Sequence, residues 1–242
     1  MDAMKRKVIL CACSSRSFIR KEDVAVLAAS LGRAGCDVEI VADLCQIASQ
    51  DPLRLRSMSQ SVFGACYERA LKSILAFRDV EAEDLLDLRN RSVEENLMQL
   101  GLKKDYEQGD VEAFERQIDS FSQYPGSDAW YPVLDKDVCA ECGRCLDFCP
   151  FGVYEMVSDR VRVANPDNCK NNCPACARTC PASAIIFPKY DRSPINGGTE
   201  LDEKAIQLDT RTVYAQALRD RLEYQRKARL SLFRDPKNKE NR

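Results

Sequence analysis

Two stretches decide how this chain is read. They are Cys139-Ala-Glu-Cys142-Gly-Arg-Cys145-Leu-Asp-Phe-Cys149-Pro150 and, about 30 residues on, Cys169-Lys-Asn-Asn-Cys173-Pro-Ala-Cys176-Ala-Arg-Thr-Cys180-Pro181. An Asp stands two residues upstream of each (Asp137, Asp167), and each leads into an apolar run, Val153-Tyr154 or Ile185-Ile186-Phe187. The unit is an internal repeat. Three thiolates spaced two residues apart can wrap one face of an iron–sulfur cubane, with turn backbone N–H groups aimed at the sulfurs. The fourth, followed by Pro, lies too far along the chain and serves the other cluster. Crossover then assigns Cys139, Cys142, Cys145 and Cys180 to one [4Fe-4S] cluster. Cys169, Cys173, Cys176 and Cys149 go to the other. The alternative is a pair of four-thiolate zinc sites, which also use C-x2-C pairs. Duplicated order with a terminal Cys-Pro in each set favours the clusters.

Residues 132–188 resemble the bacterial two-cluster ferredoxins on these motifs. The second motif departs from the family spacing by one extra residue between Cys169 and Cys173.

The whole chain has 242 residues, thirteen cysteines and no histidine. Without histidine, His acid–base catalysis, His-paired nucleophiles, His-ligated zinc and Rieske-type centres are excluded. A long chain with an odd cysteine count at short spacings suits thiolate ligation better than a disulfide framework. A net charge of −2 gives no reason to expect a nucleic-acid partner. The basic Lys5-Arg6-Lys7 before Val8-Ile9-Leu10 is followed by too short an apolar run for a signal peptide, and no segment approaches the roughly 20 apolar residues of a membrane span. The expectation is a cytoplasmic protein that is not inserted in a membrane.

Fold class is expected to be α/β plus α+β. The parts are a small parallel βαβ N-terminal sheet, a helical middle segment, a ferredoxin-like two-cluster domain and a C-terminal helix. Lys7–Leu10, Val38–Val41 and Ser61–Ala65 read as strands; Lys21–Leu31, Leu53–Ser59 and Tyr67–Phe77 read as helices, with Gly32 and Gly35 closing the first. The divisions are 1–77, 78–129, 130–192 and 193–242. In the acidic middle segment Ser92-Val93-Glu94-Glu95 predicts a capping box and Gly101 a helix stop, and Asp110 is expected to cap a second helix. Tyr124–Ser127 reads as a linker. A last helix is expected over Thr212–Phe233, with basic residues beside a partial apolar stripe.

Cys11 and Cys13 follow the first expected strand, Cys45 the second and Cys66 the third. The carboxyl ends of parallel strands share one edge, where ligands bind, so these four form a candidate metal site. Cysteine is also a small buried hydrophobe, and Cys36 reads that way. Strand-Cys-x-Cys-Ser, then Asp-Leu-Cys, then Gly-Ala-Cys resembles the N-terminal domain of the flavin-bearing subunit of heterodisulfide reductase, and is similar to the small iron–sulfur subunit linking hydrogenases to that enzyme. That resemblance implies a third iron–sulfur cluster on Cys11, Cys13, Cys45 and Cys66. No G-x-G-x-x-G occurs, so a dinucleotide-type flavin site is not expected. The leading expectation is a non-catalytic electron-transfer subunit with redox protein partners, oxidoreductase or flavoprotein subunits, in an anaerobic complex. The alternative is a heterodisulfide-reductase-like component with thiol–disulfide chemistry at Cys11 and Cys13. Trp130 and Tyr131 are expected to anchor the linker or to shield a cluster.

Overall fold

The computed structural model describes residues 5–121 and 129–199. Strand β1 (Lys7–Cys11) and strand β3 (Val62–Ala65) are wholly apolar at their centres, and Val8, Ile9, Leu10, Val62 and Phe63 are buried on both faces. Such continuous apolar runs mark the inner strands of a parallel sheet covered on both sides. Strand β2 (Asp37–Val41) pairs with β1, and strand β4 (Asp84–Asp87) pairs with β3, every pairing parallel, giving the order β2-β1-β3-β4.

The connections run in opposite directions from the middle of the sheet. Helix α1 (Lys21–Arg33) returns the chain from β1 to β2. Helices α2 (Leu44–Gln50) and α3 (Pro52–Ser57) carry it back past β1 to β3, and α4 (Glu68–Phe77) leads on to β4. Right-handed crossovers then put α1 on one face and α2, α3 and α4 on the other. Helix α5 (Val93–Gln99) and helix α6 (Gln108–Phe121) pack against α1, while α4 packs against α2.

Several local expectations hold. Ser92 and Glu95 make the reciprocal capping box, and Gly101 takes the left-handed φ of +73° that a helix stop favours. Others are corrected. Strand β4 lies in the segment read as helical, because Leu85-Leu86 offers only two apolar residues between acids, too short a signal for an edge strand. Helix α1 runs through Gly32 to Arg33, and Gly35 alone, at φ +86°, supplies the stop. Helix α6 starts at Gln108, so Asp110 lies in its first turn instead of capping it. Asp87, one of the acids of that middle segment, is buried and accepts from the backbone N–H groups of Glu68, Arg89 and Asn90. It thereby caps α4, whose preceding residue Tyr67 supplies no side-chain cap. The Tyr124–Ser127 linker and the helix expected over Thr212–Phe233 lie outside the described residues.

The Cys-rich unit has its own small core. Strand β5 (Val133–Leu134) pairs antiparallel with strand β8 (Ile185–Ile186), joining the two ends of the repeat. Strands β6 (Tyr154–Val157) and β7 (Arg160–Val163) form a hairpin between the motifs. Short helices α7 (Arg144–Phe148) and α8 (Ala175–Thr179) occupy equivalent places in the two halves, each ending just before a Cys-Pro pair. The architecture is mixed: a parallel four-stranded sheet with helices, followed by a ferredoxin-like domain.

Candidate functional site

Eight cysteines of the repeat surround two cavities, and each cavity draws on both motifs. One, of about 330 Å³, is lined by Cys139, Cys142, Cys145 and Cys180 together with Leu134, Val161 and Ile185. The other, of about 320 Å³, is lined by Cys149, Cys169, Cys173 and Cys176 together with Phe148, Val153 and Tyr154. Local backbone makes this possible. Glu141 and Gly143 take left-handed φ values of +50° and +71°, curling the first loop round its cavity. In the second loop Asn172, at φ +58°, takes up the extra residue, and Cys169 and Cys173 still face the same cavity. The pairing β5–β8 carries Cys180 back beside Cys139.

Electrostatic neighbours sort into the same two sets. Cys139 and Cys145 feel Cys180, whereas Cys169 and Cys176 feel Cys149. Burial pushes the thiols of Cys145, Cys169 and Cys176 up to about 12. Donors are also aimed at sulfur in both cavities. The Ala184 N–H lies 3.3 Å from Cys180 Sγ, and the Tyr154 hydroxyl donates to Cys176 Sγ at 3.1 Å. The buried Trp130 Nε1–H makes no well-formed hydrogen bond, yet it lies close enough to Cys169 to favour that thiolate. Among the described residues no three Cys, Asp or Glu side chains converge closely enough to hold a single metal ion. The sulfurs instead line volumes bounded by apolar residues, an arrangement fitted to a polynuclear group.

The second constellation lies at the sheet's carboxyl edge. Sheet order reverses at β1 and β3, and the crevice outside the ends of two such strands is where open parallel sheets bind ligands. Cys11 closes β1, Cys13 follows it at φ +50°, Cys66 follows β3, and Cys45 sits in the first turn of α2. All four are buried and unbridged. Cys11 is an electrostatic neighbour of Cys13, Cys13 of Cys66, Cys66 of Cys45, and Cys45 of Cys11, which closes a ring. Burial raises the Cys11 and Cys45 thiols and pushes Cys66 up to about 12. That direction is opposite to the lowered pKa of reactive thiols in thiol–disulfide exchange. The donor to Cys11 Sγ is the Leu44 N–H, 3.3 Å away. Cys36 is half-buried in the turn before β2, away from this ring.

Ferredoxin-domain residues reach this edge. Tyr131 donates from its hydroxyl to the Cys45 carbonyl at 2.7 Å. Lys189 forms an ion pair with Asp43 and hydrogen-bonds Ser15. Arg16, three residues after Cys13, stacks on the Trp130 ring and donates to Asn172 Oδ1 at 2.9 Å, inside the second cysteine loop. Trp130 stacks in turn on Phe187. Of these, Asp43 carried a local signal, an Asp just ahead of the helix that bears Cys45. Lys189 and Arg16 carried none, because their partners lie 146 and 156 residues away in sequence.

A family described as a 4Fe-4S dicluster domain matches residues 131–181. An uncharacterized ferredoxin of Methanocaldococcus jannaschii is 44% identical over 61 residues, covering 25% of this chain and 42% of that protein's length. A ferredoxin of Methanothermococcus thermolithotrophicus is 41% identical over 55 residues, covering 22% of this chain and 90% of the relative. Pyruvate synthase subunit PorD of Methanothermobacter marburgensis is 43% identical over 54 residues, covering 22% of this chain and 60% of the subunit. Among the described residues no helix is long and apolar enough to cross a membrane.

Proposed function

Since the chain belongs, through residues 131–181, to the dicluster 4Fe-4S ferredoxin family, we propose that its eight motif cysteines hold two [4Fe-4S] clusters in crossed sets and that four N-terminal cysteines hold a third iron–sulfur cluster. The protein is a ferredoxin-like iron–sulfur electron-transfer protein. When bound, the clusters supply one-electron redox chemistry without proton transfer.

The observation that carries the reading is the pair of like-sized cavities, each walled by four cysteines drawn from both motifs. In this reading Cys139, Cys142, Cys145 and Cys180 ligate one cluster. Cys149, Cys169, Cys173 and Cys176 ligate the other. Apolar neighbours such as Val161 and Ile185 wall part of the first cavity, while Ala184 N–H and Tyr154 O–H stabilise thiolate charge.

The third cluster is supported by the ring of Cys11, Cys13, Cys45 and Cys66 at the sheet's switch point, together with the resemblance to the N-terminal domain of the flavin-bearing heterodisulfide reductase subunit. Arg16 and Trp130, which join the Cys13 loop to the Cys169 loop, would put the N-terminal centre beside the Cys149/Cys169/Cys173/Cys176 cluster. The N-terminal module in this reading extends past residue 77 to include β4, α5 and α6, and the ferredoxin module begins at residue 130. A relative named as a pyruvate synthase subunit supports a role as subunit or partner of a larger oxidoreductase.

Iron and sulfide quantification on the anaerobically purified and reconstituted full chain tests this. Iron should exceed two cubanes' worth and fall to two when Cys11 and Cys45 are both replaced by Ala. A wild-type protein holding two cubanes only, with the N-terminal thiols open to alkylation, removes the third cluster from the account. A zinc-loaded protein with no reducible EPR signal after reconstitution removes all three.

A further inference from the structure

Lys189 belongs to the ferredoxin domain, three residues beyond β8, yet its ammonium is buried at the N-terminal cysteine ring. Its side chain is only 3% exposed, and so is that of Asp43, its ion-pair partner. Ser15 Oγ completes the contact, hydrogen-bonding both Lys189 and Asp43. An ammonium taken out of water is strongly unfavourable unless anions meet it. Asp43 alone does not account for the surroundings. Burial acts to lower the Lys189 ammonium, but Cys45, then Asp43 and Cys13, outweigh it and raise the lysine above its ordinary range. Cys11 and Cys66 also feel the lysine's charge, so all four thiols of the ring are its electrostatic neighbours.

The chemistry of the ring supplies a reason for a cation there. Four thiolates round a doubly positive iron–sulfur core carry a net dianionic charge, and one-electron reduction adds to it. Such an excess of charge in a buried site is stabilised by a nearby positive group held in a fixed place, as well as by donors aimed at the sulfurs. Asp43 supplies the fixing: it caps α2 through the Gln46 N–H, and it accepts from both Ser15 and Lys189. Position and charge are thus separable. Asp43 tethers and partly offsets the ammonium, and the ammonium's field reaches the four thiols.

We propose that Lys189 is a charge-compensating and positioning residue of the N-terminal thiolate site, delivered to it by the ferredoxin domain. The proposal rests on the reading of Cys11, Cys13, Cys45 and Cys66 as cluster ligands. The ferredoxin domain then completes a centre on the other domain as well as holding two of its own, and the electron affinity of that centre depends on the docking of Lys189.

The test uses the full chain, reconstituted anaerobically, as wild type and as K189Q, K189R, D43N and K189Q/D43N. Iron per chain and EPR-monitored redox titration are measured, with the two ferredoxin clusters as internal references. K189Q removes a positive charge, so at a fixed ambient potential the reduced-to-oxidised ratio of the third centre should fall at least tenfold, about 59 mV for one electron. D43N keeps a helix-capping side chain and removes the opposing charge, so its shift should have the opposite sign. The double variant should return towards wild type, and K189R should stay near it. If K189Q loses the third centre's iron outright, retention by K189R supports the proposal. Loss from both, shifts of the same sign in K189Q and D43N, or no shift in either overturns it and leaves Lys189 a packing residue. A wild-type protein with only two cubanes' worth of iron fails at the earlier step, the cysteine reading itself.

Discussion

Replacing Arg69 by Met should loosen the ferredoxin domain from helix α4 and destabilise the whole protein. Arg69 Nε donates to Asp135 Oδ2 at 2.5 Å, and its terminal nitrogen donates to the Ser183 carbonyl at 2.6 Å. Those two acceptors lie at the ends of β5 and β8, one leading into Cys139 and the other following Cys180. The same Asp135 accepts the Cys139 N–H on its carbonyl, and its own N–H donates to the Ala184 carbonyl. One guanidinium therefore ties both flanks of one cysteine set to helix α4. Met keeps much of the stem's volume but leaves the Asp135 carboxylate, whose side chain is 11% exposed, without its counter-charge. Breaking a fully buried pair from one side costs about 3–5 kcal/mol. Arg69 is 25% exposed, so solvent screens part of that cost and about 2–3 kcal/mol is expected. For a chain of this size the melting temperature should fall by roughly 4–12 °C. Anaerobic thermal unfolding of the reconstituted protein at one scan rate measures this. The R69M/D135N double variant should regain at least half the loss, since a neutral amide does not need the guanidinium. A melting temperature for R69M within 1–2 °C of wild type (roughly 0.5 kcal/mol), or strict additivity in the double variant, would refute the clamp.

Two further outcomes follow from single side chains. Tyr154→Phe removes the hydroxyl that donates to Cys176 Sγ at 3.1 Å; losing about 1 kcal/mol of preference for the more negative state should lower that cluster's potential by close to 40 mV for one electron, read by EPR titration. Gly197→Ala should be destabilising by about 2 kcal/mol or more, because φ is +94° and an added Cβ would meet the Ala70 backbone nitrogen at 2.9 Å. Gly32→Ala, in helix α1 with nothing within 4 Å of its Cβ position, is the control and should raise the melting temperature slightly.

Much of the candidate site is legible in the order of the residues alone, and the reason is locality. Cysteines spaced two or three residues apart are brought together by turns that those same residues form, so the Cys139–Cys149 and Cys169–Cys180 sets could be read directly. The first three strands and the carboxyl edge they share were legible too, since apolar runs such as Val8-Ile9-Leu10 leave little choice of environment. Strand β4 was not legible, because two leucines among acids carry no period and only pairing with β3 makes them a strand. Nothing local marks Asp87 as buried; the fold turns it towards the N-terminus of α4.

What the sequence by itself determined is the cysteine inventory and its grouping: eight cysteines in duplicated order, and four more where parallel strands end. What only the tertiary structure decided is how the two groups are joined. Lys189 meeting Asp43, Arg16 meeting Asn172 and Tyr131 meeting Cys45 are contacts between residues 86 to 156 positions apart. No local preference encodes such pairs. They exist because burying the sheet's carboxyl edge against the ferredoxin domain leaves the buried Asp43 carboxylate and the Cys45 carbonyl to be met by groups from across that interface, Lys189 and Tyr131.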